Sequence, residues 1–335
     1  MNTRIRQIEY QLAEREVTNE EFGEKHPEWD MNAVAERAGV EVRYFSAPDE
    51  TALDLGEKAC LKIYENDPEA LKNVGVLIFC TQTPDHTLPS NACLLHGRLG
   101  LKEEVFAFDV AMGCSGFVNG LSLAHGFIQS HQADRVLLVT GDTLSKRVSA
   151  DDRSVAVLFG DGAAATLVEK SNQEGLIDVE AATAGKYWDR IMIPAGGSRM
   201  PHSEETSIPE EDSRGNVRTK NDIWMDGLSV LGMINTRVPS QIQKLLQRNQ
   251  LAIDDVDLCV FHQASKITLD SLVARLGVKP EKHFHNVAKV GNTVSASIPI
   301  ALKDASDQGL VSPGDLVLIS GFGVGLAWAT ALLRW

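Results

Sequence analysis

The strongest constraint on the fold is that the chain echoes itself. Residues 74–80 and 256–262 both read as buried strands. The second leads into a helical segment at 266–276, and the first into a helical segment of its own. Extended runs follow at 105–110 and 284–290, and each ends in a glycine-flanked corner. The first corner is Gly113-Cys114-Ser115-Gly116 and the second is Gly291-Asn292-Thr293. Each corner opens a helix (117–130 and 297–308), and each helix precedes an apolar strand (135–140 and 315–320). Glycine-rich turns of matching form come next, Phe159-Gly160-Asp161-Gly162 and Phe322-Gly323-Val324-Gly325. Buried strands alternating with amphipathic helices predict α/β layering with mainly parallel sheets. The repetition predicts two related halves about a pseudo-two-fold axis, 1–184 and 223–335. Between them, residues 185–222 form a polar stretch rich in Pro, Glu, Ser and Arg, too long for an ordinary connection and expected to be an ordered loop. Residues 12–44 are mixed and mostly helical in pattern.

With 335 residues and 43% hydrophobic content the chain can bury one large core or two ordinary ones. Its net charge of −14 argues against a nucleic-acid partner. The first residues lack the apolar core of a signal peptide, and no run approaches the ~18 apolar residues of a membrane span. Five scattered cysteines without CxxC spacing argue against a disulfide framework or zinc site, and for a reduced, cytoplasmic protein. The histidines lack metal-ligand spacing, so no metal is expected.

The pseudo-symmetry brings corresponding corners to one central site, beyond the carboxyl ends of the strands. Cys114 sits where a strand turns into a helix, and amide N–H groups and the helix dipole there favour a thiolate. The dipole supplies at most ~2 kcal/mol, which brings a thiol from ~8.5 to about 7. His262, at the end of the second half's first strand, is placed to hydrogen-bond the sulfur or take its proton. By themselves a free cysteine is usually a small buried hydrophobe, and a lone histidine a satisfied core residue. Asn292, otherwise a turn or cap residue, discriminates. A carboxamide beside a histidine offers a second neutral donor. Together they can hold a thioester oxygen while the neighbouring carbon loses CO2, each donor contributing roughly 3 kcal/mol at the transition state. The backbone N–H groups of Cys114 and Val324 are placed to form an oxyanion hole for an acyl group on the sulfur.

These motifs resemble those of the β-ketoacyl-acyl-carrier-protein synthase III family of the thiolase superfamily. Gly113-Cys114-Ser115-Gly116, Phe159-Gly160-Asp161-Gly162-Ala163-Ala164, Phe261-His262-Gln263-Ala264 and Gly291-Asn292-Thr293 carry the likeness, in order and through nearly the whole chain. The resemblance implies a five-layer αβαβα thiolase-like fold, a homodimer and a Cys114-His262-Asn292 triad. It implies acyl-CoA as donor, malonyl-acyl carrier protein as acceptor and no cofactor. It also implies coenzyme A or carrier-protein contacts from Arg37, Arg153, Lys266 and Trp29, and Leu88 reaching into the partner's acyl pocket. A basic mouth formed by Arg37, Arg153, Lys266 and Lys289 is expected for anionic donors. Departures from the family pattern include Ser265 for asparagine, Ile267 at an often basic position, Val324 for glycine, and Leu88 for an aromatic residue. They suggest a specialised member, similar to those of surface-polysaccharide or secondary-metabolite pathways.

Two alternatives remain open at this level. An acyltransferase could pass the Cys114 acyl group to an alcohol or amine, and a non-catalytic partner subunit could merely shape another synthase. A biosynthetic thiolase is disfavoured, because Gly321-Phe322-Gly323-Val324-Gly325 lacks a second cysteine.

Overall fold

The computed structural model describes residues 2–335; Met1, first in the expected N-terminal half, lies outside the described residues. Two sheets and three helical layers stack as αβαβα. The first sheet runs, in spatial order, Asn2–Leu12, Gly162–Ser171, Arg135–Asp142, Val76–Cys80 and Phe106–Val110. The second runs Leu258–Phe261, Leu316–Gly323, Ala327–Arg334 and Leu176–Thr183. Helices Gly116–Gln129 and Ser297–Asp307 lie between the sheets and touch both. Helices Ala52–Asn66 and Asn91–Arg98 cover the outer face of the first sheet; Gly227–Arg248, packed on Lys266–Leu276, covers that of the second.

The sequence dictates which helices go where. Gly116–Gln129 buries Phe117, Val118, Leu121, Ala124 and Ile128, and Ser297–Asp307 buries Ile298, Ile300, Ala301, Leu302 and Ala305. Apolar residues around most of the circumference suit a layer with a sheet on each side. Gly227–Arg248 instead carries one apolar stripe (Val230, Ile234, Val238, Ile242, Leu245), as a helix with one wet face should. Strands Val76–Cys80 and Leu316–Gly323 are buried at every residue, which explains the apolar runs Val76–Cys80 and Leu316–Ile319.

Several expectations need correction. The sheets are mixed rather than mainly parallel: Val76–Cys80 pairs in parallel with both neighbours, and Leu258–Phe261 with Leu316–Gly323, whereas all other pairs within the two sheets are antiparallel. A three-residue turn after Leu316–Gly323 returns the chain as a hairpin, and the longer segment 143–161 after Arg135–Asp142 also brings it back alongside in the opposite direction. The run 284–290 does not repeat its first-half counterpart. A single bridge between Cys259 and His283 precedes it, and the run itself holds only a helical turn at Val287–Val290. Leu176–Thr183 joins the second sheet, so the chain passes between the sheets at 172–175, ahead of the boundary read at 184. The edge strand Asn2–Leu12 has no counterpart in the sequence reading. Residues 12–44 hold two short helices, Asn19–Lys25 and Met31–Ala38, framed by the paired strands Arg15–Thr18 and Val42–Phe45.

The 185–222 loop is built from short 3-10 turns and two-residue strands. It is anchored to the first half, where Arg218 bonds buried Asp152 at 2.8 Å and the Ile223 N–H donates to the Arg147 carbonyl at 2.7 Å.

The halves meet by close backbone approach. A Cβ on Gly321 would stand 2.5 Å from the Cys114 carbonyl oxygen and 2.8 Å from the Ser115 Cα, so only glycine fits. Gly321→Ala is expected to cost at least 1–3 kcal/mol of stability in urea unfolding, the range of an overpacked core. Gly97→Ala, on an outer helix with nothing within 4 Å of the added methyl, should be neutral or stabilising. Equal losses would remove the crossing as the reason for the glycine.

Candidate active site

Cys114, His262 and Asn292 line one cavity between the halves. Cys114 precedes the first turn of Gly116–Gln129 and is 7% exposed. A Cβ on Gly323 would come within 2.8 Å of its sulfur, so the second half's strand end passes directly against the thiol. The amides of Cys114 and Val324 both favour the charged form of the sulfur, which puts the two expected N–H groups beside it. Val324 differs from glycine only in a side chain that lines the cavity, so its amide keeps this place.

The thiol is not half-ionised, as the dipole argument predicts. Burial, reinforced by the Asp142 carboxylate, outweighs those two amides and pushes it up to about 12. Asp142 ends strand Arg135–Asp142, fully buried, and accepts from the Gln82 N–H (2.7 Å), the Thr81 hydroxyl (3.3 Å) and the Ser295 hydroxyl (2.7 Å). Burial raises its own carboxyl to about 6. It clasps the Asn292 loop to the first half, and the sequence reading passed it over. A carboxylate closing a buried strand was the available signal.

His262 is 1% exposed, and burial lowers its imidazole to about 3, so the ring is neutral. Its backbone N–H donates to the Ser320 carbonyl (2.9 Å), its Nδ1 lies 2.7 Å from the Ser297 hydroxyl, and the Phe322 ring meets it edge-on at 5.6 Å. Asn292 is held by its backbone to the first half: its N–H donates to the Leu158 carbonyl (2.8 Å), and its carbonyl accepts from the Gly160 N–H (3.0 Å). Its Oδ1 accepts from the Val294 N–H at 3.0 Å, which leaves the NH2 as its free end. Val294 adopts φ 52°, a strained value for a β-branched residue, and that conformation supports this contact.

Away from this centre the cavity wall is largely apolar: Leu144, Phe159, Ile191, Ile223, Val230 and Ile234. Three of its lining residues, Leu158, Ser265 and Ile267, also line an outer pocket that holds Arg37 and Arg153 with Asp30. The two guanidiniums thus stand at the entrance. Lys266 lines neither pocket; its stem packs on Gly39 and its ammonium pairs with Asp270. Trp29 lines neither pocket and stacks on His26 at 3.9 Å. Lys289 is exposed on the helical turn before Gly291. Leu88, 80% exposed, is far from lining its own chain's cavity. Gln82, not anticipated, joins Cys114 in the cavity wall. Among the described residues, no cluster of side chains suits a metal ion and no helix is long and apolar enough to cross a membrane.

Comparison with known proteins decides the family. Residues 108–185 match the model for 3-oxoacyl-[acyl-carrier-protein] synthase III, and residues 246–335 match the model for its C-terminal part. A β-ketoacyl-[acyl-carrier-protein] synthase III from Synechocystis is 35% identical, with 97% of this chain and 95% of the relative covered. This chain belongs to the β-ketoacyl-[acyl-carrier-protein] synthase III family. The Clostridioides difficile member is 34% identical over 97% of this chain and 95% of its own. A crystal structure of a 3-oxoacyl-(acyl-carrier-protein) synthase III superposes with TM-score 0.97 at 35% identity, covering both chains entirely. The Thermus thermophilus enzyme superposes with TM-score 0.88 at 33% identity, covering 99% of each. The five-layer thiolase-like fold and the acyltransferase class read from the motifs both stand.

Because the resting group is a thiol, its thiolate fraction multiplies tenfold with each pH unit below the pKa. Alkylation of Cys114 by iodoacetamide, followed by intact mass, is therefore expected to keep rising steeply through pH 9. A plateau near pH 7 would show the dipole dominating burial.

Proposed function

We propose that this synthase loads an acyl group from acyl-CoA onto Cys114 and condenses it, with decarboxylation, onto a malonyl thioester carried by acyl carrier protein. The convergence of Cys114, His262 and Asn292 on one cavity supports this reading most directly. In the first half-reaction the Cys114 sulfur attacks the donor thioester, the carbonyl oxygen takes negative charge against the Cys114 and Val324 amides, and coenzyme A leaves as its thiol. In the second, the malonyl thioester oxygen accepts from the His262 Nε2–H and the Asn292 NH2. The bond to the carboxylate breaks, CO2 departs, and its electron pair becomes an enolate. The enolate carbon bonds to the acyl carbon, and the Cys114 sulfur leaves and takes up one proton. The electrons come from the bond that breaks, so this route calls on no cofactor. Neutral donors suit it: an imidazolium would protonate the enolate instead of stabilising it.

The entrance fits this order of events. Arg37 and Arg153 face the outer pocket, where the phosphates of coenzyme A or of the carrier's prosthetic arm would pass. Trp29 and Lys266, turned to His26 and Asp270, are given no place in that contact. The five unpaired cysteines support placement in the cytoplasm.

A second copy of the chain completes the assembly. Phe106–Val110 is an edge strand with one side unpaired. Phe106 is 55% exposed and packs with Phe108 at 5.0 Å and Phe127 at 6.1 Å. An exposed edge that carries aromatic residues invites pairing. Leu88 lies just before helix Asn91–Arg98, whose first amides are held by Asp109 of the same edge strand. Pairing two such edges would bury Leu88 against the other subunit.

Asn292→Ala is expected to keep self-acylation while losing roughly two to three orders of magnitude in CO2 release from malonyl-carrier protein. Equal loss of both steps would reduce Asn292 to a structural residue. Cys114→Ser should abolish the acyl mass increment on the protein. Acylated alcohol or amine without CO2 would favour the simple acyltransferase instead. Phe106→Lys should shift the mass in light scattering from dimer to monomer; an unchanged mass would place the interface elsewhere.

A further inference from the structure

We propose that Ser297 is a positioning residue that fixes the neutral His262 ring in its Nε2–H tautomer, so that His262 serves decarboxylation as a hydrogen-bond donor and not as a base. The inference rests on the reading above and adds a residue to it.

The argument is an inventory of protons. Ser297 is fully buried, and its hydroxyl has two neighbours. The Gln263 backbone N–H approaches its oxygen at 3.4 Å and can only donate. The His262 Nδ1 lies at 2.7 Å. The hydroxyl carries one proton, and the imidazole nitrogen is the acceptor within reach. A buried hydroxyl proton left unpaired is costly, so it goes to Nδ1. A ring nitrogen that accepts carries no proton in the neutral imidazole, so the proton sits on Nε2. No carboxylate contacts the ring to stabilise a second proton, and burial keeps the ring neutral.

The same segment treats both donors alike. Asn292 gives its acceptor end to the Val294 N–H, and His262 gives its acceptor end to the Ser297 hydroxyl. Each is left with only N–H groups to offer the cavity. Ser297 is the first residue of helix Ser297–Asp307, locked between the sheets, so the ring inherits its orientation from a rigid element.

The test reads the tautomer directly. The wild-type protein is labelled with 15N-histidine, and His262→Gln identifies the His262 signals by their loss. At neutral pH, Nδ1 is expected in the unprotonated, hydrogen-bonded range and Nε2 in the protonated range. A protonated Nδ1 would overturn the proposal without any activity measurement. Ser297→Ala should mix the two tautomers and lower CO2 release roughly 10- to 100-fold, while Cys114 self-acylation changes less than about threefold. Ser297→Thr, which keeps the hydroxyl, should restore the tautomer and most of the rate. A Ser297→Ala protein that keeps the Nε2–H tautomer, or loses both half-reactions equally, would overturn it. Wild-type protein that neither acylates Cys114 nor releases CO2 would instead overturn the synthase reading, leaving the tautomer measurement to stand or fall alone.

Discussion

The site depends on a backbone passing against a thiol. Gly321 and Gly323 carry no side chains, and the strand end between them lies directly on Cys114, with the Val324 amide aimed at the sulfur. Any Cβ there would force the halves apart by the better part of a bond length or more. The same contact lines the cavity, buries the Cys114 sulfur and brings the Val324 amide beside it. The reciprocal crossing, where Asn292 pairs with Phe159 between Gly160 and Gly291, holds the carboxamide from the other side.

Burial then decides the electrostatics. A thiol and an imidazole removed from water both lose their charged forms, the first rising and the second falling. Asp142, buried without a cation among its hydrogen-bond partners, adds to this on the Cys114 side. What remains is a resting site with a neutral sulfur and neutral donors. Such a site suits a reaction in which charge develops on the substrate and must be held, not neutralised by a proton.

Around this centre the chain departs from a uniform design. Two arginines guard the entrance, while an exposed isoleucine, Ile267, stands between the outer pocket and the cavity. The 185–222 loop lends Ile191 to the cavity, Ile223 joins it just beyond, and the loop is tied down through Arg218 and Asp152. The cavity wall is therefore assembled from parts of both halves and of the segment between them.

The echo of strands, corners and glycine turns made the layered architecture and the Cys114, His262 and Asn292 set legible, because local periodicity and glycine placement encode them directly. Burial of a helix on every side, as in Gly116–Gln129, is likewise written in its residues. Strand direction was not, since a hairpin return and a crossover leave similar apolar runs; nor was the edge strand Asn2–Leu12, whose partner lies far along the chain. The thiol's protonation state escaped for a related reason: the dipole is a local property, whereas burial and the Asp142 charge come from elements that meet only in the folded protein. Trp29 and Lys266 show the same limit, because a residue's type and spacing do not settle whether it faces a pocket or a neighbour such as His26 or Asp270. Residue order alone was enough for the repeat, the fold class and the choice of Cys114, His262 and Asn292 as candidates. Which ends of those side chains are left unpaired came from the fold, because partners distant from His262 or beside Asn292, such as Ser297 and Val294, consume the others.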